Sequence, residues 1–127
     1  MQAQRVVVYS DNRATRRAVI DAVGSGSDAV FVEVATHTAL RGVLDGGGVD
    51  VVVLDGEATP AGGMGIARQM RDELAHCPEV VLLTARAADA WLAVWARADV
   101  VIGTPRGGVE FARAIEAALR CPRRRMC

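Results

Sequence analysis

Four polar signatures interrupt an otherwise aliphatic chain, and each closes a run of branched apolar residues. Ser10-Asp11-Asn12 follows Val6-Val7-Val8-Tyr9, and Asp55 follows Val51-Val52-Val53-Leu54. Thr84 follows Val80-Val81-Leu82-Leu83, and Thr104-Pro105 comes just after Val100-Val101-Ile102. An acid at the end of a buried apolar segment is costly unless it has a partner or a task. Two such acids brought together, Asp11 and Asp55, repel each other, and a divalent cation relieves the repulsion. Carboxylates, a backbone carbonyl and water are hard oxygen ligands of the kind Mg2+ takes. The chemistry therefore depends on whether the four signatures converge.

The apolar runs, with a fifth at Val30-Phe31-Val32-Glu33-Val34, are short and lack polar alternation, as suits strands buried on both faces of a parallel sheet. Segments with helical spacing alternate with them. Residues 12–23 group Ala18, Val19, Ala22 and Val23; residues 37–45 group Leu40, Val43 and Leu44; residues 64–75 group Met64, Ala67, Met70 and Leu74. Residues 87–97 carry Trp91, Leu92, Val94 and Trp95, and residues 109–120 carry Val109, Ala112, Ile115, Ala118 and Leu119. Glycine and proline clusters at 24–27, 46–48, 60–63 and 105–108 separate the segments. Five successive strand–helix units predict an α/β protein with an open, doubly wound parallel sheet, since a closed barrel needs about eight such units. Sheets of this kind bind ligands where the strands end at their carboxyl side, which is where the four signatures lie. One domain over residues 1–120 accounts for the pattern, with an Arg-rich tail at 121–127.

Composition excludes several classes. The 15 basic and 15 acidic residues balance, which argues against a domain built around nucleic-acid or membrane electrostatics. Cys77, Cys121 and Cys127 have no metal-ligand spacing, and His37 and His76 are expected to be surface residues. An odd cysteine count without a leader-like segment predicts a reduced, cytoplasmic protein, and no apolar stretch is long enough to span a membrane. No Gly-x-Gly-x-x-Gly follows the first strand, so a dinucleotide site is not expected. Every basic residue is an arginine; there is no lysine.

Together the strand-end residues resemble the receiver domains of bacterial response regulators. The usual set there is an acidic pair after the first strand, an Asp after the third, a Thr or Ser after the fourth, and Lys-Pro after the fifth. Ser10-Asp11, Asp55, Thr84 and Thr104-Pro105 stand at those positions, and the likeness runs from about residue 5 to 120. The resemblance implies a flavodoxin-like doubly wound (βα)5 fold, a five-stranded parallel sheet of order 2-1-3-4-5 with helices on both faces. It implies that Asp55 is the phospho-acceptor, fed by a sensor histidine kinase or a small phosphodonor. Mg2+ would be held weakly by Asp11, Asp55, the backbone carbonyl of Glu57 and, through water, Ser10. Thr84 would receive a phosphoryl oxygen, and Thr104 would occupy the lysine position.

Departures from the pattern matter as much. Ser10 replaces an acid, so metal affinity should be weak or absent. Thr104 replaces the lysine, and the charge that would pair with the phosphoryl group is missing unless Arg86 or Arg13 reaches in. Val101 stands where many receivers carry a switch aromatic, and Pro60 falls one residue later than usual after Asp55. A phosphorylation-independent receiver that binds a partner is the alternative. Asp55-Gly56-Glu57-Ala58-Thr59 also resembles the first motif of haloacid-dehalogenase-type phosphatases, but the lysine and later acidic cluster of that family are missing. Asp11-Asn12 equally suits a plain helix N-cap. Trp91 and Trp95, four residues apart on one helical stripe, are either core or the anchor of a partner surface, including that of a homodimer. With no effector segment after residue 120, output is expected through another protein rather than by direct DNA contact.

Overall fold

The computed structural model describes residues 4–23, 29–56, 69–70, 78–84, 99–103 and 108–120. In chain order these form β1 (Arg5–Tyr9), α1 (Arg13–Val23), β2 (Val30–Val34), α2 (His37–Asp45), β3 (Val51–Asp55), β4 (Glu79–Leu83), β5 (Val100–Ile102) and α3 (Val109–Arg120). Gln69 and Met70 are helical as well. All described strand pairs are parallel, and the sheet runs β2-β1-β3-β4-β5. This is the flavodoxin-like order with helices on both faces.

The period of two along each strand sorts the core into two layers. Val7, Tyr9, Val52, Leu54, Val80 and Leu82 face one way and pack with Leu40 and Leu44 of α2 and with Met70. Val6, Val8, Val51, Val53, Val81 and Leu83 face the other way and pack with Val19 of α1 and Phe111, Ile115, Ala118 and Leu119 of α3. With apolar neighbours on both faces, β1, β3 and β4 have no use for polar alternation. At their amino ends the strands are braced by carboxylates: Asp50 Oδ2 accepts from the Arg5 amide at 2.8 Å, and Asp99 Oδ2 from the Val80 amide at 2.8 Å.

Helix ends follow local chemistry. Thr36 caps α2, its hydroxyl oxygen accepting from the Ala39 amide at 3.1 Å. Past the end of α2, Gly47 and Gly48 take positive φ of 72° and 79°, which residues with a Cβ rarely adopt.

Two expectations need correction. The edge strands β2 and β5 are not buried on both faces: Val30 and Val101 are exposed, because an edge strand lacks a neighbour on one side. Val109, read as part of the inward stripe, is 70% exposed, while Phe111 is 1% exposed and takes the inward place. His37 is half-buried at the start of α2. The 87–97 segment, most of 64–75 and the 121–127 tail lie outside the described residues. Among those described, no helix is long and apolar enough to cross a membrane.

Candidate acceptor pocket

Chain order reverses direction between β1 and β3: α1 leads outward to β2, and α2 returns across β1 to β3. Open sheets of this kind bind ligands over the carboxyl ends of the two strands at such a switch point. The register pairs Tyr9 with Leu54, so one step further sets Ser10 beside Asp55. Both residues share strand parity with the layer facing α1 and α3, and their side chains meet. Ser10 Oγ donates to Asp55 Oδ2 at 2.7 Å. Ser10 is 0% exposed and Asp55 4%. On the far side of Asp55, its register partner Leu83 is followed directly by Thr84, 3% exposed. The Gly56 amide donates to the Leu83 carbonyl at 2.8 Å, fixing the turn that leaves β3.

The β1–α1 turn is held tightly around Ser10. Its amide donates to the Val34 carbonyl at 3.2 Å. Its hydroxyl also accepts from the Asn12 amide at 3.0 Å. Its carbonyl accepts from Arg16 Nη1 at 2.6 Å, and Arg16 Nε pairs with Glu33 Oε1 at 3.2 Å. Asn12 is the residue that caps α1, its Oδ1 accepting from the Ala14 amide at 2.8 Å. Asp11 is thereby relieved of capping and stands exposed at the rim. Both acids act on Tyr9, whose phenol is pushed above its ordinary value first by burial, then by the charge of Asp11, then by that of Asp55.

Ser10, Asp11, Asp55 and Thr84 therefore lie along adjacent strand ends. Glu57, Thr104, Trp91, Trp95 and Arg86 lie outside the described residues. Arg13 is exposed at the start of α1; the arginine that turns back to the strand end is Arg16. Sequence spacing left Arg16 unread, since it is one of four arginines within residues 5–17 and only its contacts distinguish it. Tyr9 belongs to the strand core by its spacing, and no local pattern signals that it senses both acids.

As a cation site the described donors fit poorly. Asp11 and Asp55 offer two carboxylates, and the Ser10 hydroxyl spends its one proton on Asp55 and adds no charge. No group of three or more His, Cys, Asp or Glu placed to hold a metal occurs among the described residues. A separate concavity of about 410 Å3 lies between α1 and α3, lined by Arg17, Ala18, Asp21 and Phe111 among others. None of the strand-end residues borders it.

Comparison with known proteins agrees with this geometry. An uncharacterized response regulatory protein of Mycobacterium tuberculosis, from strains H37Rv and CDC 1551, is 46% identical over 125 residues, covering 94% of this chain and 94% of the relative. The signal receiver domain of the response regulator NarL from Mycobacterium tuberculosis superposes with a TM-score of 0.76 at 24% identity, covering 98% of this chain and 100% of that one. Response regulator TrrA of Thermotoga maritima, solved with Mg2+ and BeF, gives 0.73 at 20% identity, covering 91% and 99%. A receiver domain from Saccharomyces cerevisiae, solved with a histidine phosphotransfer signaling protein, gives 0.73 at 14% identity, covering 91% and 88%. No protein-family model matches. The chain belongs to the response regulators, as a receiver domain of two-component signalling.

Proposed function

We propose that Asp55 accepts a phosphoryl group and that the chain passes the signal on by contact with another protein. The observation behind this reading is the position of Asp55: last residue of the central strand, at the switch point, with a hydroxyl donor at 2.7 Å on one oxygen and Thr84 beyond its register partner. In the transfer, a carboxylate oxygen of Asp55 bonds to phosphorus while the bond from phosphorus to its donor breaks. The donor is a phosphohistidine imidazole or a small acyl phosphate, and the bonding pair leaves with it. Thr84 would donate a hydrogen bond to the new phosphoryl oxygen, and Thr104 would face it without charge. Trp91 and Trp95 would anchor the downstream partner or a second copy. The chemistry is confined to Asp55, so the chain works as a signalling module.

Incubation with acetyl phosphate, with and without Mg2+, followed by intact mass and amide NMR, tests the reading. A phosphoryl adduct that disappears in Asp55→Asn is expected. Absence of any adduct, or one that persists in Asp55→Asn, removes it. A specific observation then favours the other reading, a partner-binding receiver that works without phosphorylation: the Asp55 oxygen is already engaged by Ser10.

A further inference from the structure

We infer that Ser10 holds the acceptor carboxylate in the resting pocket and that this contact lets the resting carboxylates stand together without a divalent cation. The inference deepens the reading of Asp55 as the acceptor. The Ser10 hydroxyl has one proton and two lone pairs. One lone pair takes the Asn12 amide at 3.0 Å, which directs the proton to Asp55 Oδ2 at 2.7 Å. The residue cannot swing away cheaply. Its amide is tied to Val34 and its carbonyl to Arg16, whose guanidinium is tied in turn to Glu33. An acid on this backbone would put a second carboxylate against Asp55 Oδ2, with Asp11 at the rim. Such a set repels itself, and a counter-ion or a shared proton must offset the repulsion. The hydroxyl turns the same contact from repulsion into a charge-assisted hydrogen bond and removes one negative charge. A cation entering here meets two carboxylates instead of three, one of them already engaged.

Ser10→Asp and its uncharged near-isostere Ser10→Asn, compared with the unaltered chain, test this with Mg2+ and Mn2+ alone as probes. In the unaltered chain, millimolar Mg2+ should leave the thermal midpoint in place, and micromolar Mn2+ should not broaden the amide signals of Ser10, Asp11, Asp55 and Gly56. Ser10→Asp should have a lower midpoint without metal, recover it with Mg2+, and bind Mg2+ about tenfold or more tightly through the added ligand charge. Ser10→Asn should not respond to Mg2+. Micromolar Mn2+ broadening in the unaltered chain overturns the inference, as does a folded Ser10→Asp that binds Mg2+ no better. If Ser10→Asp does not fold even with Mg2+, the Mn2+ titration of the unaltered chain decides alone. No phosphodonor is present, so failure of phosphorylation at Asp55 and failure of this inference are read separately.

Discussion

Tyr9 is the only tyrosine in the chain, so its ionisation can be followed alone by phenolate absorbance. Its side chain belongs to the layer facing α2, yet it feels Asp11 and Asp55 across the strand ends. Replacing either acid by its amide should lower the Tyr9 midpoint, and Asp11→Asn should lower it more, because Asp11 contributes more than Asp55. A midpoint that does not move in Asp55→Asn would remove that acid from the neighbourhood of Tyr9. The folded state favours the neutral phenol, so this contribution is intact below the ordinary value of 10.0 and is lost as pH rises from there through the folded value. Tyr9→Phe should flatten that alkaline loss in a denaturation series.

Among the elements, the junction of β1, α1 and β2 positions the pocket. Arg16, 15% exposed on its side chain, carries two different contacts: a charge-assisted hydrogen bond to the Ser10 carbonyl and an ion pair with the more exposed Glu33. The two should have unequal weight. Losing the bond to the carbonyl in Arg16→Met should cost about 1.5–3 kcal/mol. Weakening the outer pair in Glu33→Gln should cost about 0–1 kcal/mol, because solvent screens it. Urea denaturation of the two variants checks this. Equal losses would mean that the ion pair, and not the bond to Ser10, fixes the turn.

At the scale of the molecule, α1 and α3 pack on one face of the sheet and α2 and Met70 on the other, among the described residues. Phe111 is the largest side chain α3 contributes to its layer. Phe111→Ala should destabilise by about 3–5 kcal/mol through lost transfer energy and a cavity. Val109→Ala, two residues earlier on the exposed side, should change stability by no more than about 0.5 kcal/mol. Denaturant midpoints would reveal the contrast, and a large loss in Val109→Ala would mean that α3 is rotated from the orientation described here.

The valine runs at 6–8, 51–53 and 80–81 and the helical spacing between them already specified a doubly wound sheet, because period two and period 3.6 are written in adjacent residues. They also placed Asp55 and Thr84 at strand ends, since a polar residue closing such a run has nowhere else to go. Phe111 stands four and eight residues before Ile115 and Leu119, so helical spacing favours it over Val109, and the docking of α3 beside α1 buries it. Other features were not legible, for one reason: they depend on contacts between residues far apart in the chain. Asp11 and Asn12 are equally good caps by composition, and the geometry of the turn gave the task to Asn12. Ser10 read as a missing acid. That its proton is aimed at Asp55 follows from the register of β1 on β3, set by hydrogen bonds between segments 45 residues apart, and no local pattern carries that information.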